Sequence, residues 1–322
     1  MTVSSFVDLV DLASERLGAT VVDANDEFFA PKENLIKRGV AVWREGEYTE
    51  RGKWMDGWET RRRRDDGVFD WCIVRLGAPG IVRGVDVDTA FFKGNFPESC
   101  ALDACDVAGH PTPVELGRAA WREILTRKML TGDEHNLLSV DAAPRATHVR
   151  LRIFPDGGVA RLRVYGEVVP DWRRLAARGD VDLAAVEHGG FVVGCSDMFF
   201  GSRHNLIMPG DATHMGDGWE TRRRRGPGHD WTIVKLGARG TVRRVEIDTR
   251  HFKGNAPGAC SLEAHSGDEQ WIDLLTRTPL QPHGRHVFED DVRAIGDVTH
   301  VRFNIFPDGG VGRLRLFGRP AS

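Results

Sequence analysis

Cysteine is scarce in this sequence, and long hydrophobic runs are missing from it. Five cysteines occur among 322 residues, an odd number, and no two of them have the CxxC spacing of a redox or zinc site. This composition argues against a disulfide-stabilised fold. No segment is apolar enough to span a bilayer, and the first residues lack the pattern of a secretion signal. We therefore expect reduced thiols in a cytoplasmic protein with no membrane partner.

An excess of either charge is also missing. Lys and Arg total 44 against 47 for Asp and Glu, which gives a formal net charge of −3. Such a chain has no overall field to attract nucleic acid, and we predict no nucleic-acid partner. The sequence has no HExxH, Walker, GxSxG or GxGxxG motif, so no cofactor is evident. A divalent metal held by dispersed side chains stays an open alternative, with His229 and His251 as candidate ligands.

What the sequence does contain is an internal repeat. Residues 10–29 match residues 181–200 at 10 of 20 positions, and residues 147–166 match residues 299–318 at 15 of 20. The longest matching segment aligns residues 70–97 with 230–257, with 18 identities in 28 positions. Self-similarity of this extent indicates a tandem duplication. We predict domains at 1–170 and 178–322, joined by a linker around 170–179.

Short apolar or alternating segments bounded by Gly, Pro and Asp recur in both copies. In the first copy, residues 72–76, 81–87, 148–154 and 160–165 have this pattern, with turns predicted at the GAPG and PDGG sequences. Helical patterns are confined to residues 5–17, 181–186 and 117–128. Short strands at even spacing favour an all-β fold, namely a tandem of two jelly-roll β-sandwich units with few short helices.

The nine residues DGWETRRRR occur twice, at 56–64 and 217–225. A half-buried strand alternates between core and solvent, but this run places guanidinium groups on both faces, which a core strand does not tolerate. Either the strand ends within the motif, or one face lines a polar cleft. A solvated edge strand is the structural alternative. Because arginine binds carboxylates in a bidentate manner, the motif also suggests a small anionic ligand.

Two further motifs recur after strands. FKGN places Lys93 and Asn95, and in the second copy Lys253 and Asn255, on a loop where they can bind ligand oxygens or form a simple Gly-Asn turn. THVR…IFPDGG carries a histidine on a strand and an aspartate in a tight turn. These residues (His148, Asp156, His300, Asp308) are as well explained by structural roles.

The combination of GWETRR with FKGN.P, DW.IV.LG and IFPDGG, present twice, resembles the allantoicase family across nearly the whole chain. The resemblance implies a tandem of galactose-binding-like jelly rolls. It also implies hydrolysis of allantoate, a small-molecule substrate, to ureidoglycolate and urea in purine catabolism. A homo-oligomer is expected from the family alone. Two alternatives stay open: a non-enzymatic tandem jelly roll that binds carbohydrate, and a hydrolase of a related ureide.

The substrate that the resemblance implies has one carboxylate and two ureido groups on one carbon, and its cleavage needs proton transfer. We therefore assign acid–base catalysis to four carboxylates (Glu59, Asp56, Glu220, Asp217). Substrate binding is assigned to four arginines and to the FKGN residues (Arg61, Arg63, Arg222, Arg224, Lys93, Asn95, Lys253, Asn255). The histidines that replace Phe69 and Phe91 in the second copy, His229 and His251, favour the second copy as the working one.

Overall fold

The computed structural model describes residues 6–64, 69–267 and 270–321. Ser5, the first residue of the helix predicted at 5–17, lies outside these ranges. The chain forms two compact units, Met1–Val169 and Pro170–Ser322. The domain boundaries at 170 and 178 stay a prediction. Within the described ranges, no helix has the length and apolar character needed to cross a bilayer.

The first unit is built almost entirely from strands. Its strands are β1 (Val10–Asp11), β2 (Thr20–Ala24), β3 (Tyr48–Thr49), β4 (Gly52–Lys53), β5 (Trp58–Glu59), β6 (Asp70–Asp88), β7 (Ser99–Cys105), β8 (Arg122–Met129), β9 (His135–Ser139), β10 (Arg145–Phe154), β11 (Gly158–Val159) and β12 (Arg161–Val168). One short α-helix, α1 (Pro113–Gly117), and three 3-10 turns (Phe6–Asp8, Glu15–Leu17, Lys32–Ile36) complete it. Thr112 begins α1 with a capping box, in which its hydroxyl accepts from the Glu115 amide and Glu115 accepts in return.

Strand β6 connects the two faces of the first unit. Its first part pairs with β2 and β10, and β10 continues through β7 to β8. Its last part pairs instead with β12 and β9, and β12 pairs with β1. The register of β10 on β6 shifts between these two parts, as expected where a strand bends from one sheet of a sandwich into the other.

The second unit repeats this plan. Its strands are β13 (Val181–Asp182), β14 (Phe191–Cys195), β15 (Trp219–Glu220), β16 (Asp230–Asp248), β17 (Ala259–His265), β18 (Ile272–Pro279), β19 (Arg285–Phe288), β20 (Val298–Phe306), β21 (Gly310–Val311) and β22 (Arg313–Pro320). Helix α2 (Trp172–Ala176) precedes them, and 3-10 turns lie at Val186–His188, Arg203–Ile207 and Met215–Asp217. Strand β16 pairs with β14 and β20, and then with β22 and β19, as β6 does in the first unit.

The core of each unit forms because the strands alternate buried and partly exposed residues. In β6 the alternation runs through most of the strand, and its last residues are buried on both faces. Leu102, Leu151 and Leu162 are fully buried in the first unit, as are Leu262 and Leu314 in the second. Burial of a side chain of this size stabilises the folded state by roughly 1.5–3 kcal/mol. The predicted all-β tandem of two sandwich units with few short helices is confirmed.

Four local predictions were wrong. Residues 6–17 form two 3-10 turns around β1 rather than one helix, and residues 181–186 form β13 and the start of a turn. The helix predicted at 117–128 lies earlier, at α1, and strand β8 follows it. The GAPG segment at 77–80, predicted as a turn, lies inside β6. The pairing of β10 on β6 passes from Arg75 to Gly80, and the residues between them form the bend between the sheets. Apolar spacing alone does not separate a strand from a short helix.

Candidate active site

The DGWETRRRR segment of the first unit is fixed to the core by its glycine and tryptophan. Trp58 is fully buried in β5, and its indole Nε1 donates to the Asp26 carbonyl at 2.7 Å. A Cβ on Gly57 would lie 2.6 Å from the Val159 carbonyl oxygen and 2.7 Å from the Phe92 ring, so glycine is required there. Since neighbouring residues of a strand face opposite sides, burial of Trp58 turns Glu59 outward.

Glu59 and Asn95 form the polar centre of the site. Asn95 Nδ2 donates to Glu59 Oε1 at 2.7 Å, which joins the DGWETRRRR and FKGN motifs. Burial raises the pKa of Glu59, and the hydrogen bond from Asn95 opposes part of that effect. A partly buried carboxyl with a raised pKa, hydrogen-bonded and facing a cavity, is suited to proton transfer.

A cavity of about 630 Å³ opens over this pair. It is lined by Phe29, Trp43, Lys53, Met55, Glu59, Phe91, Lys93, Gly94 and Asn95. Aromatic and aliphatic walls with a few convergent polar groups are typical of small-molecule sites. Two ammonium groups and one carboxylate line the cavity, so its charge suits a small anion.

Part of the cavity wall comes from a segment that the second unit lacks. The loop between Ile36 and Asp56 is ten residues longer than its counterpart between Ile207 and Asp217. Strands β3 and β4 form a hairpin in this longer loop, which supplies Trp43, Lys53 and Met55 to the cavity. Sequence reasoning missed these residues. The length difference between the two copies was the available signal, because an insertion in one of two repeats often marks a binding face.

The arginines of the first motif point elsewhere. Arg61 pairs with Asp26 at 2.6 Å, and Arg63 pairs with Asp70 at 2.6 Å. The Arg63 amide also donates to Asp156 Oδ2 at 2.8 Å, which assigns the aspartate of the PDGG turn a structural role. Within the described ranges, neither arginine lines the cavity that contains Glu59.

The second copy of the motif makes the same kind of contacts. Arg222 lies 3.5 Å from Asp197, and Arg224 pairs with Asp230 while its amide donates to Asp308 Oδ2 at 2.7 Å. All four predicted substrate-binding arginines therefore have carboxylate partners within the fold. The strand indeed ends within the motif, because β5 and β15 stop at Glu59 and Glu220.

The two predicted catalytic aspartates also lie in structural ion pairs. Asp56 pairs with the buried Arg161 at 2.7 Å, and Asp217 lies 3.3 Å from the buried Arg313. Burial favours the neutral form of Asp56, but hydrogen bonds from Arg161 and the Val42 amide outweigh it and lower its pKa. A carboxylate held ionised by arginine is a poor proton donor, and Asp56 does not line the cavity among the described residues.

The second unit retains the polar pair, but an aromatic side chain near it is more exposed than its counterpart in the first unit. Asn255 Nδ2 donates to Glu220 Oε1 at 2.6 Å, and Lys253 is exposed on the same loop. Phe200 is 61% exposed, whereas its counterpart Phe29 is half-buried behind the hairpin. The structure therefore brings Glu59, Asn95 and Lys93 together at a cavity, and Glu220, Asn255 and Lys253 together beside exposed aromatic rings.

The histidines singled out by sequence make structural contacts. His148 is buried in β10, where desolvation, with Arg75, lowers its pKa to about 4. His300 stacks on His265 with ring centroids 4.7 Å apart. His229 Nε2 lies 3.2 Å from Asn304 Oδ1, and His251 Nε2 lies 2.9 Å from the Ala212 carbonyl oxygen. Within residues 6–64, 69–267 and 270–321, no three His, Cys, Asp or Glu side chains are arranged to hold a metal ion.

Comparison with known proteins shows the family of the chain. The family model described as the allantoicase repeat matches residues 10–169 and again residues 181–321. The chain is 48% identical to a probable allantoicase of Photobacterium profundum over 326 residues, covering 98% of this chain and 97% of that one. It is also 48% identical to a probable allantoicase of Pseudomonas aeruginosa over 327 residues, with the same coverage.

A solved structure agrees with this match. The crystal structure of allantoicase from Saccharomyces cerevisiae superposes with a TM-score of 0.82 and 36% identity, covering 96% of this chain and 92% of that one. The family repeat covers both sandwich units, and the relatives match along their full length. By sequence, by repeat organisation and by fold, the chain belongs to the allantoicase family.

Proposed function

We propose that the chain is an allantoicase that hydrolyses allantoate to ureidoglycolate and urea, with its working site in the first unit. Family membership supports the reaction, since the relatives are named as probable allantoicases. One observation supports the location. The Glu59–Asn95 pair faces a cavity of about 630 Å³ with apolar walls and two lysines, which is a suitable size and charge for a small carboxylate.

The chemistry assigns a role to Glu59. The oxygen of water bonds to the central carbon of allantoate as the bond from that carbon to one ureido nitrogen breaks, and the nitrogen leaves as urea with the proton that the base has taken from the water. Glu59 acts as the general base that takes the proton from water, because its raised pKa makes its carboxylate a stronger base than an exposed one. Asn95 fixes the orientation of the Glu59 carboxylate by donating a hydrogen bond to its Oε1.

Lys93, on the loop that also carries Asn95, is another polar group of the site. Its ammonium lies 3.6 Å from Asp133 and lines the cavity. We assign Lys93 to hydrogen bonding with a ureido oxygen of the substrate. The left-handed backbone of Phe91, with φ of 69°, turns this loop toward the cavity, and the Phe91 amide donates to Asp133 Oδ1 at 2.7 Å.

Urea release tests both parts of the proposal. Purified protein incubated with allantoate should release urea and ureidoglycolate in equal amounts. Glu59→Gln keeps the size of the side chain but removes its basicity, so kcat should fall by about 100-fold or more. Absence of urea above the blank from the wild-type protein, with and without added divalent metal, would exclude the allantoicase assignment. Wild-type turnover by Glu59→Gln would instead exclude Glu59 as the base.

Three wider expectations belong to the same proposal. We propose a homo-oligomer, supported by the cluster of exposed apolar residues Met198, Phe199 and Phe200, and sedimentation velocity tests it. A cytoplasmic location is supported by five cysteines without disulfides, and cell fractionation tests it. A divalent-metal requirement is tested by comparing turnover before and after treatment with a chelator.

A further inference from the structure

The hairpin specific to the first unit delivers a lysine to the cavity mouth. Lys53 is the last residue of β4, and its ammonium lies 4.1 Å from the centre of the Trp43 ring. Trp43 in turn packs on Phe91, with ring centroids 5.7 Å apart. A cation held against an aromatic face has fewer accessible positions than a free lysine on a surface. The hairpin therefore holds Lys53 beside the site by contacts among three cavity-lining residues.

Lys53 differs from Lys93 in its partners. Lys93 lies 3.6 Å from the Asp133 carboxylate. Among the residues that the structure describes, Lys53 has no carboxylate within ion-pair distance, and its ammonium lies over the Trp43 ring. An aromatic ring carries no net charge, so an ammonium held over a ring stays available to attract an anion, whereas a carboxylate partner neutralises much of its charge. Of the two lysines, Lys53 is the better suited to bind the negative charge of a ligand.

The charge of the cavity supports the same assignment. Its ionisable lining groups are Glu59, Lys53 and Lys93. Of the two cations, Lys93 interacts with Asp133, so Lys53 is the cation of the cavity lining without a carboxylate partner among the described residues. The sequence-based candidates for this role, Arg61 and Arg63, are paired with Asp26 and Asp70 outside the cavity.

We propose that Lys53 is a specificity-determining residue that binds the carboxylate of the substrate, with Trp43 as its positioning residue. This inference rests on the proposed function of the site. It makes a ureide with a carboxylate the preferred substrate over a neutral ureide of the same shape. The second unit has His214 in place of Lys53 and no counterpart of Trp43, so this selection belongs to the first unit alone.

The test removes the charge of Lys53 from the protein and, separately, the carboxylate charge from the substrate. Urea release is measured from allantoate and from its neutral carboxamide, with wild-type protein, Lys53→Gln and Lys53→Arg. For Lys53→Gln we expect KM for allantoate to rise between about 10-fold and about 100-fold, the usual size of a lost charged hydrogen bond, with a much smaller change in kcat. Its kinetics on the carboxamide should stay at the wild-type level, and Lys53→Arg should recover part of the affinity.

The control is Lys128→Gln, which removes an exposed lysine of β8 outside the cavity and should leave both substrates unaffected. Thermal unfolding of each variant verifies the fold. A wild-type protein without turnover on allantoate overturns the proposed function and this inference with it. A wild-type protein that is active while Lys53→Gln keeps its preference for the carboxylate overturns the role of Lys53 alone. Equal losses on both substrates also overturn it, because a carboxylate-binding residue acts only on the charged one.

Discussion

At the scale of single residues, the environment of each carboxylate decides what it can do. Glu59 and Asp56 lie three residues apart, yet one has a raised pKa and the other a lowered one. Burial acts on both, but the partner of Glu59 is a neutral amide, whereas Asp56 is bound by the guanidinium of Arg161. The residue that can exchange a proton is therefore the one without a cationic partner.

The pH dependence of turnover follows from this difference. A base is active when ionised, so kcat/KM should fall as the pH drops through the pKa of Glu59, which burial places above that of an ordinary carboxyl. Asn95→Leu removes a hydrogen bond that favours the ionised form, so it should shift the acid limb of the profile to higher pH. A profile of kcat/KM against pH for both proteins measures the shift.

The matched control for that experiment is Asn255→Leu, which makes the same change beside Glu220 and should leave the acid limb in place. If turnover instead falls as the pH rises through the acid range, Glu59 works in its protonated form and the role of general base is wrong. An unchanged limb in Asn95→Leu would mean that the titrating group is not Glu59.

At the scale of elements, the β3–β4 hairpin is what separates the two copies of the site. In both copies an asparagine side chain donates a hydrogen bond to a glutamate, at 2.7 Å from Asn95 to Glu59 and at 2.6 Å from Asn255 to Glu220. In the first copy the hairpin covers Phe29, and the site for a Cβ on Gly52 lies 3.6 Å from that ring. The short loop of the second copy leaves Phe200 exposed. A partly enclosed cavity strengthens electrostatic interactions because water is excluded from it.

Exchange of this loop tests the role of the hairpin. Replacement of residues 37–55 by residues 208–216 should reduce turnover of allantoate by at least about 100-fold, since it removes both the enclosing wall and the cation. The fold should survive, because Thr213 in the short loop donates its amide to Asp217 as Val42 does to Asp56. Urea release and thermal unfolding are the two measurements. A folded exchange variant with wild-type turnover would contradict an enclosing role.

Sequence predicted the elements whose signal is local and repeated. The β-sandwich units followed from turn-bounded strands present twice, and Glu59 and Asn95 followed from motifs that recur. The bend inside β6 was missed because Gly77 to Gly80 reads as a turn, and only the pairing with β10 shows that the strand continues. Trp43 and Lys53 were missed because neither is repeated in the second copy, and only the difference in loop length marked their segment. The pairing of Arg61 with Asp26 is a contact between distant segments, which spacing does not encode.

At the scale of the whole molecule, the duplication gives one chain two related polar pairs in separate compact units. The two copies differ in the residues that surround the glutamate. The core contacts of the motif are the same in both, since Trp58 and Trp219 are fully buried and donate to the carbonyls of Asp26 and Asp197. These shared core contacts explain why the second copy keeps the motif although its shorter loop leaves Phe200 exposed.

The two units can be separated functionally by one set of variants of the full chain. If the first unit carries turnover, Glu220→Gln should keep kcat within about twofold of the wild-type value, and Glu59→Gln should lose about 100-fold or more. The double variant should then match Glu59→Gln, because independent sites have additive free-energy effects. Urea release at saturating allantoate measures all four proteins. A large loss in Glu220→Gln would instead place catalysis in the second unit. A double variant much slower than either single variant would show that both glutamates contribute to turnover.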